Sequence, residues 1–404
     1  MRRLAAPFAR LAVVVCTVAG TLSMGLPWAL AAGEIPDPTW MTNGKVYALA
    51  QNGDTLYIGG TFTRLLPPVG SSASPIAVSN LAAISVSTGE PIAGWAPVAG
   101  GTGENVRALA VRAGTVYVGG NFTAIDGTAV QNLAAVDATT GAVDTSFVPQ
   151  VDKVVNALLA SDSRLYAGGG FGKVNGLNRG KLAAWDLPSG TLSQQWRPRA
   201  GGGPVRDLTF DATNQTIFIG GGFTFMTQEG ATFARQSVAR VYADSGLLHP
   251  WAIPQGTLEN PQTAWDLLAT ADRLHGGFGR GPNYAASFRN DLTNVGTRLW
   301  RFSTVGNVQT VELSPDGTRL YLGGHFGLGR LQQRVCGNRD LHGLISVSPL
   351  TGALFCDWVP QLAPFGNNFQ GVWDMVATGS SLWIVGGWSM IGGVTQRNLA
   401  RFTR

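Results

Sequence analysis

The sequence predicts an all-β fold: a seven-bladed β-propeller of four-stranded blades, closed by the N-terminal strand pairing with the last blade. Three observations predict it. First, a short stretch recurs seven times, clearest as Val116-Tyr117-Val118-Gly119-Gly120-Asn121-Phe122, with fainter copies around Gly276-Gly277 and Gly386-Gly387. The copies lie roughly 50 to 60 residues apart, a period typical of radial or stacked repeats. Second, the intervening segments alternate apolar and polar residues and end in turn dipeptides, with no helical stripe beyond residue 32. Third, the repeats are out of phase at the two ends. Seven closing aromatics, Trp40, Trp95, Phe147, Trp196, Trp251, Trp300 and Trp358, match the seven Gly-Gly copies. Yet Trp40 precedes the first copy, and the last repeat stops after its third strand. Pairing 36–41 with the last repeat would close a ring and leave no sheet edge open.

Residues 1–32 read as a secretory signal peptide. Arg2, Arg3 and Arg10 precede an apolar run at 11–26, and Ala29-Leu30-Ala31 is a small-x-small cleavage site. The run is shorter than the ~20 residues of a spanning helix, so a retained anchor is the rival reading and no stable membrane span is expected in the mature chain. Cys16 has no lipoprotein cleavage site around it, and Arg2-Arg3 does not open a good twin-arginine signal. The mature chain, 33–404, is expected to be one propeller domain, secreted to a bacterial cell surface or the medium. Without the three leader arginines, 26 basic residues face 24 acidic ones. No Lys/Arg cluster stands out, so a nucleic-acid or anionic-membrane partner has no support and none is expected.

Within each repeat the first strand reads Val-x-Ala-Leu, the second ends in Gly-Gly, and the third resembles Asn-Leu-Ala-Ala-Val-Asp. A Thr-Gly or Ser-Gly turn then leads to the closing aromatic. Glycine in that turn permits the positive φ of a tight hairpin. The Gly-Gly pairs let backbones approach closely or form a bulge. They are not phosphate loops, because no helix follows them. The large closing rings are expected to cover the neighbouring blade. Cys336 and Cys356 form an even pair in an exported chain and read as a disulfide, with two buried thiols as the alternative. Only His325 and His342 lie near them, too few for a metal site, and no cofactor is implied.

Comparing the repeats with one another exposes one variable position. The residue after the first-strand Val is Tyr47, Arg107, Asn156, Arg206, Trp265, Gln309 and Trp373 in turn, and the next includes Asp207, Asp266 and Asp374. First strands line the channel of a propeller, so these side chains are expected to meet near its axis. Flat rings suit sugar faces, and arginines and amides supply directional hydrogen bonds. The competing reading is that they hydrate the axis or bond between blades, with Arg107 or Arg206 paired to Asp207 or Asp266 as surface-type ion pairs. Catalytic signatures are sparse. There is no Gly-x-Ser-x-Gly elbow, and His249, His275, His325 and His342 lack metal-ligand spacing. Asp266 and Asp374, each preceded by Trp, are the best acids for glycoside chemistry.

The second repeat, with Val118-Gly119-Gly120-Asn121-Phe122-Thr123, Asn132-Leu133-Ala134-Ala135-Val136-Asp137 and Asp144-Thr145-Ser146-Phe147, resembles the bacterial delta-sixty propeller repeat. The resemblance spans 33–404, is poorest at 262–302, and implies a secreted or surface propeller. It brings no catalytic residues. Ala135-Val136-Asp137-Ala138-Thr139-Thr140-Gly141 and Ser346-Val347-Ser348-Pro349-Leu350-Thr351-Gly352 are more loosely similar to quinoprotein-dehydrogenase repeats. In those enzymes an adjacent cysteine pair and a calcium–quinone site do the chemistry. Here the cysteines are 20 positions apart, so the similarity implies blade architecture only. The functional expectation is a non-enzymatic binding or scaffold propeller for a polysaccharide, a cell-envelope component or a protein. Its partner-facing loops would be 65–79 and 327–341. The alternative is an extracellular glycan-cleaving enzyme or cofactor-dependent oxidoreductase with its site at the axis.

Overall fold

Alternating side chains and glycine turns make antiparallel hairpins of this chain. The computed structural model describes residues 33–101, 104–259, 262–291, 295–328, 336–337, 339, 341–363 and 371–403. The leader expected at 1–32 and most of the second long loop, at 329–335, lie outside them. The fold is all-β, with no helix among the described residues.

Seven hairpins pair a first strand with a Gly-Gly strand, beginning with Val46–Asn52 against Thr55–Gly60 and Asn105–Arg112 against Thr115–Asn121. The third strand adds antiparallel to the second, as Leu81–Ser85 does to Thr55–Gly60. It starts one residue later than its motif in most repeats, because Asn80, Asn132, Lys181, Ser237 and Asn398 have φ between 61° and 74°. These residues serve as links instead. Asn80 Nδ2 donates to the Ala99 carbonyl at 2.9 Å and Asn132 Nδ2 to the Val151 carbonyl at 2.7 Å.

The fourth strands differ from expectation. They shrink to two residues at Thr191–Leu192 and Leu354–Phe355, and to single bridges at Ile84–Pro91, Val136–Val143 and Val241–Leu248. The bridged residues Pro91 and Val143 stand four positions before the closing aromatics Trp95 and Phe147, so the chain leaves the ladder before the ring is reached. The fifth repeat does the opposite. Arg298–Leu313 is one strand of 16 residues that closes that repeat and opens the sixth, merging two sheets into one of seven strands.

The first strands pack against one another in chain order, and the seventh, Gly371–Ala377, packs against Val46–Asn52. Core side chains interleave neighbouring repeats. Trp40, Val46, Ile58, Trp383 and Leu399 form one buried cluster drawn from both ends of the chain. Asp37 N donates to the Arg401 carbonyl at 2.8 Å and Thr42 N to the Arg397 carbonyl at 3.4 Å. Met41–Thr42, however, pairs as a strand with Arg64–Leu66 of the first repeat. The closing aromatics are all buried. Each of six packs on a ring of its own Gly-Gly strand: Tyr57 on Trp95, Tyr117 on Phe147, Tyr166 on Trp196, Phe218 on Trp251, His275 on Trp300 and Tyr321 on Trp358. The indole N–H groups of Trp95, Trp251 and Trp300 reach carbonyls of the next repeat, Trp95 Nε1 that of Asp137 at 3.1 Å. Cys336 and Cys356 are disulfide-bonded, with Cα atoms 5.2 Å apart. Glu34 ties the N-terminal segment to that excursion through Arg339 and the Val359 N–H.

Candidate functional site

The variable residues of the first strands share one backbone feature. In all seven hairpins the register shifts at that residue, as between Val46 and Ala48, Val106 and Ala108, and Val205 and Asp207. Tyr47, Arg107, Asn156, Arg206, Trp265, Gln309 and Trp373 are therefore the extra residues of β-bulges, freed from the alternation of the pleat. The glycine pair makes room. A Cβ on Gly60 would lie 2.0 Å from the Lys45 carbonyl oxygen, so the second glycine accommodates the bulge. A Cβ on Gly59 would lie 2.4 Å from Val106 Cγ1, so the first glycine receives the valine of the next repeat.

The structure brings all seven residues together. They line one cavity of about 80 Å³. A second cavity of about 140 Å³, lined in part by the same seven residues, also reaches Asp207, Asp266 and Asp374. Both are small beside the several hundred Å³ of ordinary ligand pockets. At one side the aromatic rings are continuous, with Tyr47 and Trp373 centroids 5.4 Å apart and Trp373 and Trp265 centroids 6.1 Å apart. The Arg107 guanidinium lies 5.1 Å from the Tyr47 ring centroid and that of Arg206 lies 4.8 Å from that of Trp265. Burial, together with the charges of Arg107 and Arg280, holds the Arg206 pKa below its usual value.

The acids are engaged elsewhere. Asp207 accepts from the Leu267 N–H at 3.0 Å, Asp266 from the Val311 N–H at 2.7 Å, and Asp374 from the Leu49 N–H at 2.7 Å. Each bond crosses to the first strand of the following repeat, with the seventh reaching the first. Arg107 and Arg206 accordingly do not pair with these acids: Arg107 Nε donates to Asn105 Oδ1 at 2.9 Å, and Arg206 rests on Trp265. Asn156 is also a link, its Nδ2 donating to the Val205 carbonyl at 2.9 Å.

Burial pushes all three carboxyls up. Asp207 rises well above its usual value, from burial and then the Asp266 charge. Asp266 rises to about 6 and Asp374 to about 7, each from burial, partly offset by N–H donors. A carboxyl with a raised folded pKa favours folding most below its unfolded value of 3.8, and that stability is lost as pH rises to about 7. Thermal unfolding midpoints are therefore expected to fall between pH 5 and 7 and then level. Asp374→Asn, which cannot titrate, should fall less steeply. Parallel wild-type and variant curves would contradict the assignment.

Two outer cavities were not legible in the repeats. One of about 890 Å³ between the third and fourth repeats is lined by Arg164, Tyr166, Phe210, Tyr242 and Asp244. Another of about 350 Å³ is lined by Arg235, Ile253 and Leu258. Apart from motif positions such as Tyr166, their residues vary from repeat to repeat without a steady frame, so aligning the repeats gives no signal for the cavities. Burial lowers His249 and His275 to about 4, so both are neutral. Among the described residues no group of three or more His, Cys, Asp or Glu is placed to hold a metal ion.

No family model matches the chain, and no curated protein matches it. Among solved structures, the computationally designed Ika8 protein is similar at 11% identity, covering 91% of this chain and 100% of its own, with a TM-score of 0.49. That likeness is too slight to say what the chain does.

Proposed function

We propose that the seven repeats form a closed seven-bladed propeller and that the chain is a secreted, non-catalytic binding or scaffold protein. Its ligand would be a polysaccharide of the cell envelope, taken at the mouth of the channel. The observation that carries this reading is the use of the axial acids. Asp207, Asp266 and Asp374 each bond a backbone N–H of the next repeat, so they act as links between repeats. A general acid or base needs a carboxyl free to meet substrate. The 140 Å³ cavity admits the end of a glycan and not a chain threaded across paired acids. The resemblance to the delta-sixty repeat and the Cys336–Cys356 disulfide support the extracellular setting.

The raised carboxyls favour the enzymatic alternative, because perturbed acids cluster at active sites. One experiment separates the two readings. The purified chain and a variant with Arg206, Trp265 and Trp373 changed to alanine are tested on an array of glycans and cell-wall polymers. Binding without turnover, weakened at least tenfold in the variant, is expected. Cleavage of a bound glycan that stops in Asp266→Asn or Asp374→Asn would replace the binding reading with the enzymatic one. Binding unchanged in the variant would move the site to the outer cavities or long loops.

A further inference from the structure

We propose that the channel mouth is an anion site that takes the carboxylate of a uronic acid, presented at the end or as a side branch of an acidic glycan. The inference rests on the binding reading above and specifies its ligand. It starts from charge. Arg107 and Arg206 converge on one small cavity whose seven-residue lining contains no acid, and Arg280 adds a third positive charge felt by Arg206. Gathering guanidinium groups in a partly desolvated mouth is costly unless an anion joins them. Arg206 Nε is buried without a hydrogen-bond partner among the described residues, a donor left open. Both guanidinium groups rest on aromatic rings, which orients them while leaving donors available to a carboxylate.

Two further features separate a uronate from a simple anion. Gln309 is only 6% exposed, lines the same cavity, and its Oε1 also lacks a partner. An open acceptor beside open cationic donors suits a ligand that carries hydroxyls as well as a carboxylate. The linked rings of Tyr47, Trp373 and Trp265 offer an apolar platform for the C–H face of a sugar. The cavity's 80 Å³ holds a carboxylate and part of one ring, so the acidic sugar must be a terminus or a branch.

The second layer makes binding depend on pH. Asp207, Asp266 and Asp374 line the larger cavity together with both arginines. Ionised, they oppose an incoming anion; protonated, they do not. The charged and titratable groups lining the site are thus Arg107, Arg206, Tyr47 and these three acids, and Arg280 acts on Arg206 from outside the lining. A uronate stays ionised throughout pH 5.5 to 8, so its affinity should rise several-fold as pH falls across that range.

Calorimetric titration of the purified chain with D-glucuronate, its methyl ester, D-glucose, acetate and an N-acetylated dipeptide tests the proposal, with polygalacturonate as the polymer. Glucuronate is expected to bind at least tenfold more tightly than its ester or glucose. Arg206→Met, which keeps an alkyl stem over Trp265, should lose at least tenfold with an unchanged melting temperature. Arg107→Met serves if that variant fails to fold. Gln309→Met should narrow the margin of glucuronate over acetate. Equal binding of glucose and glucuronate, or no loss in the arginine variants, would overturn the anion site. Tighter binding of the dipeptide would overturn the sugar and point to a protein carboxylate. If neutral glycans bind and need Trp265 and Trp373, the binding reading survives and this inference fails. If nothing on the array binds, both fall.

Discussion

Replacing Asp211 with alanine is expected to destabilise the protein by about 3–5 kcal/mol, the usual cost of stranding a buried charge. Asp211 and Arg240 are each about 1% exposed, with Arg240 Nη2 2.8 Å from Asp211 Oδ2. The same oxygen accepts from Asn290 Nδ2 at 3.0 Å and Asn214 Nδ2 at 2.8 Å. Its partner oxygen accepts from the Thr213 and Asn214 N–H groups. Arg240 Nε donates to Thr216 Oγ1 at 2.8 Å, and the guanidinium stacks 4.9 Å from the Phe218 centroid. Alanine at 211 would leave that cation without its counter-ion, beside a His249 that burial and Arg240 already keep neutral. Because Asn290 belongs to the fifth repeat, the damage should reach the seam between repeats four and five. The decisive comparison is chemical unfolding of Asp211→Ala against Asp211→Ala with Arg240→Met. Removing the stranded cation should restore a large part of the loss. A loss below about 1 kcal/mol in the single variant, or no recovery in the double, would show that the pair is not a buried charge of consequence.

This pair also shows where sequence reading stops. The bulge positions from Tyr47 to Trp373 were legible because seven copies could be laid over one another, and a variable residue in a steady frame stands out. Why they converge was less legible: Gly59 and Gly60 read as a close approach or a bulge, and only three dimensions separate the two uses, Val106 against the first and the Lys45 carbonyl against the second. Asp211 and Arg240 occur in a single repeat, so no comparison within the chain marks them. The acids illustrate the same limit. By residue type, Asp266 and Asp374 read as candidates for glycoside chemistry, and Asp207 and Asp266 as ion-pair partners of the arginines. The bonds of Asp266 and Asp374 to Val311 and Leu49 depend on N–H groups two residues beyond a bulge, a feature that the identity of the residues does not express.

The N-terminal segment carries the second large effect. Trp40 is 5% exposed, and its Nε1 donates to Glu90 Oε2 at 2.7 Å. It therefore does for the last repeat what Trp95 does for the first, covering its neighbour and bonding into it. The asparagine links repeat the pattern: Asn398 Nδ2 donates to the Thr42 carbonyl at 3.0 Å, as Asn80 does to Ala99. Arg401 Nε adds a 2.8 Å contact to Asp37. A segment so placed bonds to both the seventh repeat and the first, joined to the seventh through space and not through the chain. Trp40→Ala should then cost about 3–5 kcal/mol, as for a large ring lost from a packed core. Deleting 33–42 should cost more and expose the edges of the first and seventh repeats, which promotes association through unpaired strands. Chemical unfolding and light scattering of the two variants measure both. Supplying a synthetic peptide of residues 33–42 to the deleted chain should recover monomer and stability if the segment closes a ring. A deleted chain that stays monomeric and loses less than about 1 kcal/mol would mean that the seven repeats hold together without closure, and the proposed propeller would have to give way to an open array.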